Sequence, residues 1–499
     1  MSALYQVGIV GAGFGGIIAA IELLKSGRHS FIIFEKAGDI GGVWRNNIYP
    51  GCGCDVRSDF YSIKSQPNPN WSEHFSQRKE ILDYLDHVVE KQQLKKYIRF
   101  NTEVGEARFL PAEGCWQITD QHFSTCKVKI LILATGPFRL PQIPKPDGIE
   151  KFKGTSFHSA NWDNNLKLES LNVAVIGTGS SSAQIVPAIA GKVKNLYVFQ
   201  RSPAWVLPKW NGRSSKIKIA AYRRFPALQK ISRELNYWFL EWIGLLFFSK
   251  RFMHRLITWL AKNKLSKEVK DPLTRQLLTP TYAVGCKRII LSDDFYPAFN
   301  LPHVKLITGA IQSVDEHSIV VDNTKFKVDV IVFATGFKVA DIEQYIRIIG
   351  LEGAELGNQW EQSKPKAFLG INVAGYPNLC FQLGPNSGLY HSSVLHVIES
   401  QMVYILQYVA LLESRGDHAV IDVKADRQQA YNNQIDHELT KTVWNGCHSW
   451  YLNKRGENVV LYPHLTWHYR KHTRKIDPSD YKIITSYKIA EQEMLTSRF

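Results

Sequence analysis

The sequence predicts an α/β protein: two related parallel βαβ units, with a helical subdomain inserted into the second. Three observations carry this. An apolar run, a glycine-rich turn, a helical pattern and a second apolar run occur twice, first over 7–34 and again over 171–199. Each repeat is followed by a later apolar strand that ends in Ala-Thr-Gly, at 134–136 and at 334–336. From Arg213 to Arg275 that pattern stops, and aromatic and aliphatic residues cluster among cations with no glycine-rich strand between them.

In the first repeat, Val7–Val10 reads as a buried parallel strand. It runs into Gly11-Ala12-Gly13-Phe14-Gly15-Gly16, which fits G-x-G-x-x-G. Ile17, Ile18, Ile21, Leu23 and Leu24 make a helical pattern that stops at Gly27, and the strand Phe31–Phe34 ends in Glu35. Gly11 allows a tight turn, Gly13 lets the backbone approach a pyrophosphate, and Gly16 lets the helix pack closely on the strand. The helix N-terminus then faces phosphates. Glu35 is placed to accept hydrogen bonds from a ribose diol. Strand, glycines, helix, strand and acid in register specify a dinucleotide site.

The second repeat has a strand over Leu171–Ile176, then Gly177-Thr178-Gly179-Ser180-Ser181-Ser182, a helix from Ala183 and a strand over Leu196–Phe199 ending in Gln200-Arg201-Ser202. Ser182 stands where the fingerprint has Gly or Ala. Gly11 to Glu35 is 24 residues, and so is Gly177 to Arg201. An acid suits a free ribose diol, whereas a cation suits a 2′-phosphate. The first unit is therefore expected to hold FAD or NAD and the second NADPH.

A chain of 499 residues implies two or three domains. Apolar and charged contents of 44% and 21% are those of a folded soluble protein. The N-terminus opens directly on a strand and phosphate loop, so no secretory leader is expected. The seven cysteines are scattered, and the closest pair, Cys52 and Cys54, lacks zinc or CxxC redox spacing. They are expected to be free thiols in a reducing, cytoplasmic setting, with no metal site.

The segment 213–275 holds 15 Lys and Arg against 4 Asp and Glu, a net +11 of the chain's +16. Its richest apolar run, Leu235–Phe248, is too short to span a bilayer and contains Glu241. Basic flanks around an aromatic helix suit an interfacial contact with anionic lipid. The commoner arrangement is a helical subdomain packing its apolar face on the rest of the protein. No nucleic-acid recognition motif accompanies the charge, so nucleic acid is not an expected partner.

Elsewhere, Gly41-Gly42-Val43-Trp44, Tyr49-Pro50-Gly51 and Cys52-Gly53-Cys54-Asp55 form a loop. On spacing alone Asp55 reads as a turn cap. A scaffold helix is expected around Lys79–Val89, and strands over Ile98–Val104, Val128–Leu133 and Val328–Phe333. Pro141, Pro144 and Pro146 mark a linker. Gly384-Pro385-Asn386-Ser387-Gly388 precedes a long apolar helix from Val394 to about Leu412, and the aromatic cluster Trp444–Trp450 and the tail read as packing.

The two fingerprints, with Phe152-x-Gly154-x-x-x-His158-x-x-x-Trp162-Asp163 between them, resemble the flavin-dependent Baeyer–Villiger monooxygenases of the flavin-containing monooxygenase superfamily. Gly41–Trp44, Tyr49–Gly51, Cys286-Lys287-Arg288 and Gly384–Gly388 extend the resemblance over nearly the whole chain. It implies two Rossmann-like dinucleotide-binding domains. A discontinuous FAD domain covers 1–150 and 341–499, an NADPH domain covers 151–212 and 284–340, and the helical insert covers 213–283. It also implies a cycle in which NADPH reduces FAD, and dioxygen adds to give a peroxyflavin that converts a ketone into an ester or lactone.

By the family's motifs, Arg288 stabilises the developing oxyanion, Asp55 orients Arg288, and Lys287 joins Arg201 on the 2′-phosphate. The resemblance places Gly11, Gly13, Phe14, Gly16, Glu35, Val43, Trp44, Asp55, Tyr61 and Val104 about FAD. It places Gly177, Thr178, Gly179, Ser180, Ser181, Gln184, Arg201, Ser202 and Lys287 about NADPH, and gives His158 a hinge or coupling role. Ile48 and Ile289 stand where arginine and proline are frequent in the family, close to the expected site, and so bear on substrate scope. An N- or S-oxygenating flavin monooxygenase is the alternative. A disulfide reductase lacks its cysteine pair, and a membrane- or nucleic-acid-binding protein with vestigial nucleotide folds is the reading from outside enzymology.

Overall fold

The computed structural model describes residues 4–248, 252–339, 346–447 and 449–484. In its first part, β1 (Leu4–Val10) leads through α1 (Phe14–Lys25) to β2 (Phe31–Phe34). Then come α2 (Val43–Asn46), α3 (Arg78–Lys91), β3 (Ile98–Arg99), β4 (Val104–Leu110), β5 (Cys115–Asp120) and β6 (Thr125–Leu133). The single strand expected over Ile98–Val104 is thus two. Asn101, at φ 51° in the left-handed region, breaks the run. β3 extends β2 in parallel, and β4 opens an antiparallel meander with β5 and β6.

The second unit contains β7 (Thr155–His158), β8 (Asn172–Ile176), α4 (Ser180–Ala190), β9 (Asn195–Gln200) and β10 (Val206–Leu207). Helix α4 starts three residues before the expected Ala183. The insert follows as α5 (Lys216–Arg224), α6 (Pro226–Phe248), α7 (Phe252–Glu268) and α8 (Pro272–Leu277). The chain returns through β11 (Ile290–Leu291), which pairs with β10, then α9 (Phe295–Ala298) and β12 (Val304–Thr308). A three-stranded ribbon of β13 (Ile311–Val314), β14 (Ser318–Val321) and β15 (Thr324–Lys327) precedes β16 (Val330–Phe333). The final third carries β17 (Arg347–Ile349), α10 (Leu356–Gln362), β18 (Leu379–Phe381), α11 (Val394–Glu413), β19 (Val420–Val423), α12 (Ala425–Thr440), α13 (Thr466–His472) and β20 (Tyr481–Ile484).

Two sheets organise these elements. One has the order β17-β4-β5-β6-β1-β2-β3, with β18 also on β6, and the other has the order β12-β9-β8-β16-β7. Residues beyond 346 therefore return to the first sheet. The expected domain boundary at 340/341 lies outside the described residues. Helix α11 packs against α1 and α13 as a core helix.

The repeated Ala-Thr-Gly turn has a structural reason. Gly11 has φ +106° and a Cβ there would meet the Ala134 carbonyl oxygen at 2.7 Å; Gly177 has φ +112° and a Cβ would meet that of Ala334 at 2.5 Å. In each unit the strand after the crossover brings its last carbonyl against the phosphate turn, and only glycine fits between them.

Two further expectations are overturned. Helix α6 does not pack an apolar face inward: Gln229, Arg233, Tyr237 and Glu241 are buried, whereas Trp238, Phe239 and Trp242 are exposed. The side chains of Leu246, Phe247 and Phe248 lie outside the described residues. The cysteines are not all free, because Cys286 and Cys447 form a disulfide with their Cα atoms 5.5 Å apart. The other five are buried thiols. A separation of 161 residues leaves no spacing signal, and packing sets the pair, with Trp444 Nε1 donating to the Gly285 carbonyl at 3.1 Å.

Candidate active site

A cavity of about 2050 Å³ runs from the β1–α1 turn to the β8–α4 turn. Pockets for a single small ligand occupy roughly 300–1,000 Å³, so this one has room for two dinucleotides and a substrate. Gly11, Gly13, Phe14, Glu35, Val43, Trp44, Asp55, Tyr61 and Val104 line it from the first unit. Gly177, Thr178, Gly179, Ser180, Ser181, Gln184, Arg201, Ser202, Lys287 and Arg288 line it from the second. Gly16 does not. It lies beneath the turn, where an added Cβ would sit 1.9 Å from the Gly11 carbonyl oxygen.

At the first end Glu35 is buried at the tip of β2. Its Oε2 accepts from the Ala12 backbone N–H at 2.7 Å and its Oε1 from that of Ala37 at 2.9 Å. The carboxylate is thereby locked to the phosphate turn. Beside it, Trp44 Nε1 donates to the Tyr61 hydroxyl at 3.0 Å, and the Phe14 ring meets the Tyr61 ring edge-on at 5.4 Å. Burial pushes the Tyr61 phenol well above its ordinary pKa, so this wall is aromatic and uncharged.

At the second end Lys287 Nζ donates to Ser202 Oγ at 2.7 Å and lies 4.7 Å from the Tyr282 ring centroid. Thr178 Oγ1 donates to the Ser202 carbonyl at 3.0 Å. Burial, and then the nearby Arg201 charge, pull the Lys287 pKa below that of an ordinary lysine. Two cations crowd one place that an anion would relieve. A Cβ on Gly179 would meet nothing within 4 Å, so the turn beneath is open to a ligand.

Arg288 lines the same cavity. Its Nε and Nη2 donate to Asp55 Oδ2 at 3.1 and 2.5 Å. The Asp55 carboxylate raises the Arg288 pKa further. For Asp55 itself burial pushes upward, but the guanidinium charge and hydrogen bond outweigh it and hold the carboxyl below the usual range. Asp55 is therefore the partner of a residue 233 positions away, not a turn cap. Its loop is laced to the second unit: the Tyr49 hydroxyl donates to Gln184 Oε1, and Gln184 Nε2 donates to the Gly53 carbonyl, both at 3.0 Å.

His158 is buried and outside the cavity lining. Its Nδ1 accepts from the Ala160 N–H at 3.1 Å, which leaves Nε2 to donate to the Gly336 carbonyl at 2.9 Å. A Cβ on Gly154 would meet the Asp329 carbonyl oxygen at 2.3 Å, and Trp162 packs edge-on against Phe157. The linker motif thus clamps β7 and the proline-marked segment onto β16 and its Ala-Thr-Gly turn. Ile48 and Ile289 pack into hydrophobic clusters directly behind the cavity wall, next to the lining residues Asn47, Tyr49, Arg288 and Ile290. Sequence reasoning missed Tyr282 and the cavity cations Lys36, Arg139, Lys338, Lys454 and Arg455. They come from several separate stretches of the chain, with only Lys454 and Arg455 adjacent, and share no motif.

An acidic tip and a basic tip lining one cavity, with a guanidinium pinned in the same lining, define an enzyme frame that holds two unlike dinucleotides together. The model for flavin-binding monooxygenase-like proteins matches residues 5–343, and the chain belongs to that family. It is 38% identical over 485 residues to a Baeyer–Villiger monooxygenase of Pseudomonas aeruginosa, covering 96% of this chain and 92% of that one. It is 37% identical over 483 residues to one of Streptomyces coelicolor, with the same coverage. Among solved structures, an oxidised steroid monooxygenase bound to NADP has a TM-score of 0.86 at 27% identity, covering 97% of this chain and 100% of that one. Cyclohexanone monooxygenase from Rhodococcus sp. Phi1 bound to NADP+ has 0.87 at 25%, covering 97% and 99%.

Proposed function

We propose that the protein is an FAD- and NADPH-dependent Baeyer–Villiger monooxygenase. It converts a small-molecule ketone and one oxygen atom of O2 into an ester or lactone, in the cytoplasm and in peripheral contact with anionic membrane through the insert. The observation that carries the reaction is Arg288 held by Asp55 in the cavity that Glu35 and Arg201 also line. The names of the relatives above support the same chemistry.

The residues fit the two cofactors. Glu35, already oriented by two backbone N–H groups, accepts from the ribose diol of FAD. Arg201 and Lys287, with Ser202, take the 2′-phosphate of NADPH, the arginine as a fork and the lysine as a point charge. When bound, NADPH supplies the hydride and FAD the means of activating dioxygen. The chain supplies the field. Arg288 sets a fixed cation where the ketone oxygen gains negative charge, and Asp55 keeps that cation in place. Phe14, Trp44 and Tyr61 make one wall dry, which strengthens the field.

A panel of ketones, with NADPH and oxygen consumption followed and products identified by mass spectrometry, tests this. Ketone-dependent consumption should accompany a product one oxygen heavier with the fragmentation of an ester. Oxygenation of thioethers or amines with every ketone untouched would replace the reading by N- or S-oxygenation.

A further inference from the structure

Helix α6 is built inside out. Its buried face recurs every four residues as Gln229, Arg233, Tyr237 and Glu241, which are 3%, 8%, 3% and 2% exposed. These polar groups are fastened to the body of the protein. Gln229 Nε2 donates to the Asn68 carbonyl at 2.6 Å. Arg233 donates to the Ser62 carbonyl at 2.6 Å and pairs with Glu399 at 3.0 Å. Glu241 accepts from the Trp467 N–H at 3.1 Å and lies 3.2 Å from His391 Nε2.

The opposite face carries Ile231, Leu235, Trp238, Phe239, Trp242 and Leu245, each 53–66% exposed, in one stripe at three- and four-residue spacing. Trp259 of α7 is 60% exposed. Rolling the helix to hide this stripe would break the Arg233–Glu399 and Glu241–His391 pairs and strand charges in apolar surroundings. The packing therefore holds the apolar face outward. A soluble monomer rarely presents so large an apolar surface without a partner for it.

We propose that this face docks flat on an anionic lipid bilayer. Charge decides the occupant. Lys216, Arg223, Arg224 and Lys230 are exposed on α5 and the start of α6, and the segment 213–275 carries net +11. A second copy on the same face would bring two such segments together, whereas acidic headgroups neutralise them. The exposed tryptophans of the stripe, Trp238 and Trp242, suit the headgroup layer. A spanning helix is excluded, because the Arg233 and Glu241 side is fixed to protein along the helix.

The docked helix is also next to the cavity. His391, the partner of Glu241, follows Tyr390, whose hydroxyl donates to the Lys287 carbonyl beside Arg288. Resting on the ketone reading above, the substrate class that suits this placement is an apolar ketone dissolved in the bilayer.

Co-sedimentation of the full chain with phosphatidylcholine vesicles, with and without phosphatidylglycerol, tests the docking. Binding should need the anionic lipid and weaken with salt. Trp238→Ser with Trp242→Ser should abolish it while turnover of a water-soluble ketone stays unchanged, and Lys230→Gln should weaken it on the order of fivefold. Bromine on the acyl chains should quench the tryptophan fluorescence of the unaltered protein. Failure to bind either vesicle overturns the proposal, as does a shift from dimer to monomer in the double variant without vesicle binding. Vesicle binding with no ester from any ketone would leave the docking standing and sink the Baeyer–Villiger reading. Ester formation without vesicle binding would do the reverse.

Discussion

The two dinucleotide units share a plan and differ at two corresponding places. Both have the positive-φ glycine under an Ala-Thr-Gly carbonyl. In the first unit Gly16 is packed so closely that a Cβ would collide with the Gly11 carbonyl oxygen; in the second, Ser182 occupies the corresponding position, fully buried. The strand tips differ more. Glu35 is buried and has both oxygens tied to backbone N–H groups, whereas Arg201 is exposed at the cavity edge and is helped by Lys287 from 86 residues further along. On the function proposed above, a neutral diol would be held by one rigid, local acceptor. On the same reading a multiply charged phosphate would be met by cations gathered from distant parts of the chain, since charge acts over a longer reach than a single hydrogen bond.

The sharpest way to break this comparison is to exchange the third glycine position. Gly16→Ala should cost about 3 kcal/mol through overpacking against backbone, and the purified protein should lose its yellow colour and melt earlier. Ser182→Gly should cost under about 1 kcal/mol and keep NADPH binding. Equal losses in the two variants, read by flavin absorbance and thermal melting, would mean that the turns are packed alike.

Of comparable size is the effect at Arg288. Arg288→Ala should lower ester formation about a hundred- to a thousandfold while stopped-flow reduction by NADPH stays largely intact. Loss of reduction instead would move Arg288 from the oxygenation step to the second unit's work. Asp55→Asn should fall in the same direction by less, because the guanidinium remains but is no longer held.

The contrast between the tips is sharpened by Arg201→Ala. Removing charge-assisted contacts worth about 1.5–3 kcal/mol should weaken NADPH roughly ten- to a hundredfold and leave NADH unchanged. Equal effects on the two would remove the 2′-phosphate assignment.

The smallest effect is in pH. Lys287 has a lowered pKa from burial and the Arg201 charge, so its cation is lost at a lower pH than that of a free lysine. The NADPH preference in kcat/KM should therefore decline on the alkaline side by about fivefold, the worth of roughly 1 kcal/mol. Lys287→Gln should flatten that decline. A decline that persists in the variant would place the titrating group elsewhere.

How much of this could be read beforehand differs from element to element. The phosphate turns, α1, α3, α11 and the tips Glu35 and Arg201 were legible because their determinants lie within some thirty residues of one another. The Asp55–Arg288 pair was reached only through the family motif, since on its own spacing Asp55 looked like a turn cap. Ile98–Val104 was misread as one strand because Asn101 is a breaker only once its backbone turns left-handed. The cysteines were misread as free because the two that pair meet through the packing of Trp444 on Gly285.

What the sequence alone determined is the pair of nucleotide folds and the sign of charge at each strand tip, because glycine, β-branched runs and a terminal charge act locally. Tertiary structure decided which face of α6 turns outward and which cysteines pair, and it supplied the contact that pins Arg288 to the carboxylate the family motif names. The physical reason is common to all three. A buried polar group takes its place from its partner, and the partners of Arg233, Cys286 and Arg288 are Glu399, Cys447 and Asp55, brought to them only when the chain has folded.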